Sequence, residues 1–473
     1  MPLLDAAALR DVGRQPAVPF ALRLGDGSAL VMRQILRVLP GKRIVGRAEW
    51  LGISVLAKLF VGTASERHWR REKTGIEALH KGSVSSPDLL LAEALPAGGH
   101  VLLTAFIDGA TSIADCWQPL AALPAGDAQA IGALAPAFAM LGQLHAVGLV
   151  QEDLHLGNFL AREGRVYVID GDGVSAISPG RRLPRAAAEA NLALLCSQLP
   201  ISWDASLAEL IVAYRRGGGN EIDRSRLGGA VTRARSQRVA DYLDKTGRDC
   251  TLFAADQSVS QRRVVVRSVV DALERLGSLD DAIAHGKVFK DGGTCTVAHV
   301  REWESDWVIK RYNLKSVTHA IGRAWRPSRA WHSWREGHRL SLLGIATPQP
   351  LALVEERWGP LRRRAFLVNA YCPGRSLLEV LSAGHEPEPA LATALLTLFA
   401  SLRSARISHG DLKATNLLWD GARLWLIDLD AVCQHCTEVG YRRAWRRDRA
   451  RFLRNWPADS VLRRWLEQRL PSA

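Results

Sequence analysis

The sequence predicts an α+β protein made of two similar units, each with a small antiparallel β-sheet followed by a mainly helical part. Two observations lead to this prediction. A pattern of Asp, Asn and a second Asp occurs twice with identical spacing. Each copy also follows a series of strand-like runs and a long Ala- and Leu-rich segment with helical composition. A repeat of this size sets the number of domains, so we predict two, residues 1–228 and 229–473.

The repeated pattern is clearest in the second half, where HGDLKATN (409–416) is followed by LIDLD (426–430). Asn416 comes five positions after Asp411, and Asp428 comes seventeen positions after it. The first half repeats both spacings with Asp153, Asn158 and Asp170. A polar loop with turn residues accounts for one such pattern. Two copies with the same spacing favour a functional constraint.

This set of residues has the chemistry of phosphoryl transfer. The first Asp of such a set orients or deprotonates an attacking hydroxyl, while the Asn and the second Asp hold Mg²⁺ against nucleotide phosphates. Lys413 follows Asp411 by two positions, where it is placed to neutralise charge on the transferred phosphoryl group. We therefore predict catalytic roles for Asp411, Lys413 and Asp153. The predicted metal ligands are Asn416, Asp428, Asn158 and Asp170.

Composition restricts the partners of the chain. The 473 residues carry a net charge of +14, which indicates an acidic partner such as a phosphorylated glycan, an anionic membrane or a nucleic acid. A basic surface that only keeps the protein soluble is the alternative. Seven scattered cysteines fit a reducing compartment better than a disulfide framework. We interpret the single CxxC, Cys433 to Cys436, as incidental.

The predicted location is cytoplasmic, or peripheral on the inner membrane. The first residues, MPLLDAAALRDVGRQP, contain acidic side chains and no apolar core of signal-peptide length. No uncharged apolar run reaches the roughly 20 residues that span a bilayer.

Strand-like runs between residues 37 and 60 open the first unit, and Lys58 interrupts the apolar run VLAKLF. Lys58 resembles the lysine that binds nucleotide phosphates in kinases. A buried lysine needs a partner, and the following helix offers Glu72. Glu77 is the alternative partner on that helix. A break at residues 215–220, with two arginines and three glycines, is the predicted linker.

The second unit follows the same plan. The run HGKVFKDGGTCTVAHV predicts a hairpin in which Gly292 and Gly293 form a tight turn over phosphates. Lys310, in WVIKRY, is the counterpart of Lys58. The apolar run AFLVNAYCPG and the helical run ALLTLFASLRSARI then lead into HGDLKATN, as equivalent runs do in the first half.

VIKRYN, the Trp- and Arg-rich helix, GIATPQPLAL, HGDLKATN and LIDLD together resemble the bacterial lipopolysaccharide core kinase family, the Kdo/heptose kinases. The resemblance covers most of the chain, once in each half. It implies tandem protein-kinase-like domains, each with a β-sheet N-lobe and a helical C-lobe. It also implies ATP and Mg²⁺ as cofactors and a sugar of the lipopolysaccharide inner core, heptose or Kdo, as acceptor.

Three departures from the kinase pattern stand out. Gln151 replaces the histidine two positions before the first-half Asp, which predicts a weakened first half. Neither half has a DFG motif, since both read Asp-x-Asp. Glu336, in SWREGH, is the expected partner of Lys310, although the long segment before it makes the alignment uncertain.

Other functions remain open at this point. A protein kinase is disfavoured, because only 473 − 428 = 45 residues follow Asp428, too few for a long activation segment and a peptide-binding lobe. An aminoglycoside-type phosphotransferase is an alternative, since Asp153-Leu-His155 resembles those enzymes. A further alternative is a kinase in which one half is a pseudokinase scaffold.

The segment AWRPSRAWHSWREGHR interleaves Trp325, Trp331 and Trp334 with arginines. Tryptophan at a membrane interface and arginine towards anionic headgroups fit a glycolipid acceptor held on the inner leaflet. We expect lipopolysaccharide core glycolipid and an anionic membrane surface as partners, and no nucleic acid, although stacking on nucleic acid has the same composition. A basic helix that packs its tryptophans inward is the remaining alternative.

Overall fold

The computed structural model describes residues 2–96, 98–302, 305–313, 327–359 and 361–472. The chain divides into two compact units. The first unit comprises Met1–Gln198 and Trp203–Arg235, and the second comprises Leu199–Ser202 and Ser236–Ala473. The predicted boundary between residues 228 and 229 falls inside the helix Arg224–Lys245. The predicted linker at residues 215–220 lies within the first unit.

A six-stranded antiparallel sheet opens the first unit. Its strands are β1 (Phe20–Arg23), β2 (Ala29–Leu39), β3 (Arg43–Trp50), β4 (Ile53–Phe60), β5 (Leu89–Ala94) and β6 (His100–Ala105). Their order in the sheet is β1-β2-β3-β4-β6-β5. The second half of β4 is buried, because Val55, Ala57 and Leu59 pack in the core of the sheet. This packing places Lys58 on the opposite face of β4.

Helices and short strands form the rest of the first unit. The helices are α1 (Ala6–Asp11), α2 (Ser65–Lys81), α3 (Ile113–Trp117), α4 (Ala128–Ala146), α5 (Arg185–Cys196), α6 (Leu207–Arg216) and the first half of α7 (Arg224–Lys245), whose residues after Arg235 belong to the second unit. The short strands are β7 (Thr111–Ser112), β8 (Leu149–Gln151), β9 (Phe159–Arg162), β10 (Arg165–Val168) and β11 (Val174–Ala176). The hairpin of β9 and β10 separates Asn158 from Asp170, which explains the spacing found in the sequence.

The second unit contains a seven-stranded antiparallel sheet. Its strands are β12 (Phe253–Gln257), β13 (Gln261–Val266), β14 (Lys287–Gly292), β15 (Cys295–Glu302), β16 (Ser305–Tyr312), β17 (Pro350–Trp358) and β18 (Leu361–Ala370). Their order is β12-β13-β17-β18-β16-β15-β14. The part β14-β15-β16-β18-β17 has the same order as β2-β3-β4-β6-β5 of the first unit. The sequence did not predict β12 and β13, which extend this sheet.

The remaining elements of the second unit are mostly helical. The helices are α8 (Val270–Leu276), α9 (Leu279–His285), α10 (Arg329–Leu342), α11 (Leu377–Val380), α12 (Pro389–Ser404), α13 (Glu438–Leu453) and α14 (Val461–Arg469). The short strands are β19 (Arg375–Ser376), β20 (Ile407–Ser408), β21 (Leu417–Trp419), β22 (Leu424–Leu426) and β23 (Cys433–Gln434).

One apolar core holds the helical part of the second unit together. Phe399 of α12 packs edge-on against Trp445 of α13, and the ring of Phe452 lies 5.1 Å from that of Phe399. Leu412 and Ala414, from the HGDLKATN segment, are buried in the same core. The apolar residues of the loop therefore anchor it, and its polar residues are left for the site.

Trp331 and Trp334 of α10 pack against the protein, as the alternative of a basic helix with inward tryptophans predicts. Trp334 is fully buried, and its indole N–H donates to the carbonyl of Thr246 at 3.0 Å. Trp331 packs against the same core, with the Arg262 guanidinium 4.1 Å from its ring centroid. Trp325 and Arg326 lie outside the described residues. Across the part of the chain that is described, no helix is long and apolar enough to span a bilayer.

Candidate active site

Lys310 and two carboxylates form the centre of the candidate site in the second unit. The Lys310 Nζ atom on β16 lies 2.7 Å from Asp428 Oδ1 and 2.9 Å from Asp430 Oδ1. Burial lowers the pKa of Lys310, but Tyr312 and the carboxylates of Asp430 and Asp428 outweigh it and raise that pKa above its usual range. Lys310 is therefore a fixed cation at neutral pH.

Glu336 does not pair with Lys310, which corrects the expectation drawn from the sequence. Its carboxylate accepts from Arg339 instead, at 2.9 Å. Ser333, one turn earlier on α10, faces the site and donates its hydroxyl to Asp430 at 2.8 Å. The second carboxylate for Lys310 thus comes from the turn after β22. The helix supplies the Ser333 hydroxyl and the Arg329 guanidinium, which lies 3.7 Å from Asp430 Oδ2.

Backbone and side-chain hydrogen bonds shape the HGDLKATN loop. The buried His409 ring lies with Nε2 3.0 Å from the carbonyl oxygen of Ile427, and its Nδ1 is 3.3 Å from the backbone nitrogen of Asp411. A carbonyl only accepts and an amide only donates, so the ring is neutral with its proton on Nε2. Burial also lowers the pKa of His409. Asn416 donates its side-chain amide to the Asp411 carbonyl at 2.9 Å.

Two cations flank the carboxylate of Asp411. Lys413 Nζ lies 2.9 Å from Asp411 Oδ2, and Arg451 of α13 contacts the other oxygen, Oδ1. Burial alone would raise the pKa of Asp411, but the hydrogen bonds from Lys413 and Arg451 hold it below the ordinary value. The carboxylate is therefore ionised at neutral pH and able to accept a hydrogen bond from a hydroxyl.

Asp448, which the sequence analysis did not single out, holds the backbone of this loop through hydrogen bonds. It is buried on α13, and its carboxylate accepts from the backbone N–H of His409 at 2.6 Å and of Gly410 at 3.0 Å. In RRDRARF a lone Asp among arginines reads as a solvated helix face. Its burial could have been predicted from its position three residues after Trp445, which places it on the apolar side of the helix.

The donor set fits a magnesium ion. Asp428 follows a buried strand and has φ 60° and ψ 64°, a left-handed conformation that residues other than glycine rarely adopt outside functional turns. Asn416 uses its NH₂ group on Asp411, which leaves its amide oxygen for a cation. No group of three or more His, Cys, Asp or Glu among the described residues is placed to hold a metal. Mg²⁺ is commonly bound by one or two carboxylates together with substrate phosphates. Asp428 and Asn416 therefore fit the protein's part of such a site.

The first unit repeats the lysine arrangement with a helix glutamate. Lys58 Nζ lies 2.5 Å from Glu72 Oε1 and 3.1 Å from Asp170 Oδ1, whereas Glu77 pairs with Lys73. Burial alone would raise the pKa of Asp170, but the charge of Lys58 brings it down to about 2. Asp170 also has a positive φ, 71°, as its counterpart in the second unit has.

Gln151 makes bonds of the same kind as those of His409. Its side chain donates to the Asp170 carbonyl at 2.9 Å and accepts from the backbone of Asp153 at 3.3 Å. Asn158 donates to the Asp153 carbonyl at 2.7 Å. The loop geometry is thus present without the histidine. Within the described residues, no cation pairs with the Asp153 carboxylate, unlike that of Asp411.

Gly292 and Gly293 lie at the predicted hairpin turn. Gly292 ends β14, and Gly293 lies in the turn between β14 and β15, with open space where a Cβ would be. Cys433 and Cys436 are exposed free thiols.

Substitutions of Asp430 and Glu336 test which of the two carboxylates supports Lys310. We expect Asp430→Asn to weaken Mg–ATP binding about tenfold, because Lys310 loses one of its two charged partners. Glu336→Gln, the matched control, should stay within about twofold of wild type, since Glu336 contacts Arg339. Calorimetry on the full chain measures both dissociation constants. A larger effect of Glu336→Gln than of Asp430→Asn would contradict the assignment.

Comparisons with known proteins find a matching family model and a similar solved structure. Residues 281–465 match the family model described as "Lipopolysaccharide kinase (Kdo/WaaP) family". No curated protein matches the chain. Among solved structures, one titled "WaaP in complex with acyl carrier protein" is similar at 18% identity and a TM-score of 0.31, over 43% of this chain and 88% of that chain.

The family match spans Lys310, the HGDLKATN loop, Asp428 and α13. Its members are kinases, phosphotransferases that act on a sugar hydroxyl. The segment from residue 281 to residue 465 of this chain is thus similar to the lipopolysaccharide kinase (Kdo/WaaP) family.

Proposed function

We propose that the chain is an ATP- and Mg²⁺-dependent kinase that phosphorylates a heptose or Kdo sugar of the lipopolysaccharide inner core. The second unit is the catalytic one in this proposal. The observation that carries it is the convergence of Lys310 with Asp428 at 2.7 Å, next to a loop in which Asn416 is bonded to Asp411.

The residues take the following roles. Asp411 accepts the proton of the acceptor hydroxyl as the hydroxyl oxygen bonds to the γ-phosphorus, while the bond from that phosphorus to the bridging oxygen of ADP breaks. Lys413 and Lys310 are cations for the transferred and the remaining phosphates. Asn416 and Asp428 would hold Mg²⁺, which supplies charge neutralisation between the phosphates when it is bound.

We propose the first unit as a second kinase-like domain with a weaker or scaffolding role. The shared strand order and the Lys58, Glu72 and Asp170 cluster support nucleotide binding there. His155 stands at the position of Lys413, so Asp153 lacks the neighbouring lysine that Asp411 has. Support for an active first site is therefore weaker than for the second.

The proposed acceptor is lipopolysaccharide core glycolipid, reached at the cytoplasmic face of the inner membrane. The net charge of +14 supports an anionic acceptor and an anionic surface beside it. Trp334 is buried and offers no contact to lipid, so the support for membrane docking is the net charge.

The test is phosphorylation of delipidated core oligosaccharide by the full chain with ATP and Mg²⁺, read by mass spectrometry. We expect one added phosphate on a core sugar, and no transfer to an aminoglycoside acceptor under the same conditions. Core oligosaccharide from cells that lack the protein should miss the same phosphate. Transfer to the aminoglycoside with none to the oligosaccharide would overturn the proposal in favour of an antibiotic-type enzyme.

A further inference from the structure

Helix α13 and the residue that caps its C-terminus carry four arginines in a line, of which only Arg451 contacts the proposed catalytic residues. Arg443, Arg447, Arg451 and Arg454 follow one another at intervals of four, four and three residues. Side chains at these intervals lie on one face of a helix, so the four form a continuous arginine stripe. Eleven residues at 1.5 Å each make the stripe about 16 Å long.

The orientation of the stripe is fixed by the opposite face of the helix. Tyr441, Trp445, Asp448 and Phe452 are buried, with Trp445 against Phe399 and Asp448 on the backbone of the loop. All four arginines of the stripe are exposed. The helix therefore cannot turn the stripe inward without breaking its core contacts.

The charge of the stripe is not neutralised. Arg442, beside the stripe, pairs with Glu438 at 3.0 Å. By contrast, no acidic side chain of the described part of the chain pairs with Arg443, Arg447 or Arg454. Like charges four residues apart destabilise a helix, so this arrangement has a cost that an anionic ligand would remove.

Arg451 connects the stripe to the catalytic site. Its guanidinium contacts Asp411 Oδ1, while Lys413 occupies Oδ2. Its side chain is 44% exposed, so it can also reach a ligand in solvent. The stripe thus passes beside the carboxylate of Asp411, the proposed acceptor of the hydroxyl proton.

We propose that the arginine stripe binds the anionic groups, phosphate or carboxylate, of the sugar acceptor and so sets its position relative to Asp411. This inference rests on the proposed sugar kinase function. When an acceptor anion pairs with Arg451, Asp411 Oδ1 becomes available to the hydroxyl. An acceptor that carries negative charge next to its reactive hydroxyl is therefore preferred over a neutral sugar of the same size.

The buried aromatic residues of α13 favour a glycan over other polyanions. Single-stranded nucleic acids are held by exposed aromatic rings on which bases stack, but Tyr441, Trp445 and Phe452 face the core. A helix that lies in a membrane interface needs an apolar face free for lipid, and that face of α13 is covered by the protein. The exposed arginines of α13 can therefore recognise a ligand through its charged groups and hydroxyls.

The test compares the full-length wild type with two double variants of equal charge change. Arg443→Gln/Arg447→Gln removes the part of the stripe that does not touch Asp411. Arg464→Gln/Arg469→Gln, on the exposed face of α14, is the matched control. The probe is fluorescently labelled, delipidated core oligosaccharide that carries phosphate and carboxylate groups, and a neutral dextran oligosaccharide of similar length is the reference. Anisotropy at low and high salt measures the binding.

We expect the stripe variant to bind the core oligosaccharide at least about tenfold more weakly than wild type, with the difference shrinking at high salt. The control variant should match wild type, and dextran should bind none of them. Equal binding by the stripe variant and wild type would overturn the inference. So would tighter, stripe-dependent binding of anionic vesicles or of a single-stranded oligonucleotide.

A phosphate-transfer assay with the same proteins and the same oligosaccharide separates this inference from the proposed function. If the chain is not a core sugar kinase, wild type transfers no phosphate to the oligosaccharide, whatever the stripe binds. If the function is right and the stripe is not the acceptor site, phosphate transfer proceeds with the same KM in wild type and stripe variant. Thermal unfolding of each variant confirms that the proteins compared are folded.

Discussion

Replacing Asp411 by alanine should lower kcat for oligosaccharide phosphorylation by about 10²–10⁴-fold, the range for loss of a general base. Its carboxylate is partly exposed and its structural bonds run through the backbone, so the variant should fold. The measurement is turnover at saturating ATP and acceptor, together with Mg–ATP binding, which should be nearly unchanged.

Asp153→Ala is the matched control for this prediction, because it makes the same change at the equivalent position of the first unit. If only the second unit is catalytic, Asp153→Ala turns over as wild type does. If both are active, it removes one phosphorylation event and leaves another. Wild-type turnover by Asp411→Ala would refute the assignment of the second unit.

Asp448→Ala should also have a large effect, through the position of the loop. The change leaves the N–H groups of His409 and Gly410 without their acceptor, at a cost of about 1–3 kcal/mol for each buried group. The displaced Asp411 should lower kcat by about tenfold to a hundredfold, with a smaller change in KM. Denaturant unfolding and steady-state kinetics measure the two effects separately.

Asp448→Asn distinguishes positioning from a requirement for charge. The amide oxygen of asparagine accepts the same two backbone bonds, so this variant should recover most of the kcat lost in Asp448→Ala. The first unit offers a precedent. Asn191 of α5 accepts from the backbone of Gln151 at 3.4 Å and donates back to its carbonyl at 2.8 Å. If Asp448→Asn is as inactive as Asp448→Ala, the carboxylate acts through its charge.

Local parts of the site were readable from sequence. The intervals from Asp411 to Asn416 and Asp428 reflect one turn and one short hairpin, β21 and β22, so spacing alone carries the geometry. The antiparallel sheets were likewise predicted from strand-like runs separated by turns. Lys58 with Glu72 was predictable because strand and helix are adjacent in the chain, and a buried lysine needs a carboxylate.

The missed features depend on contacts between distant segments. Glu336 is a carboxylate on the helix expected to supply the partner of Lys310. The rotation of α10 that buries Trp334 turns Ser333, and not Glu336, towards the site, where Ser333 bonds Asp430. Asp448 lies 37 residues after Asp411 and is linked to its loop only by packing. The sequence also did not reveal that Gln151 can take the place of the histidine in the loop. The glutamine side chain makes two hydrogen bonds of the same kind as the histidine does.

The origin of the carboxylates that hold Lys310 has a consequence for control of the enzyme. Many kinases are switched off by rotating the helix whose glutamate pairs with the phosphate-binding lysine. In the first unit that glutamate is Glu72 on α2. In the second unit both carboxylates belong to one turn, Asp428 to Asp430, and α10 contributes no carboxylate to Lys310. It contacts Asp430 through the Ser333 hydroxyl and the Arg329 guanidinium. Movement of α10 would therefore break no ion pair to Lys310 itself, so we expect the second unit to be less sensitive to the position of this helix than the first unit is to the position of α2.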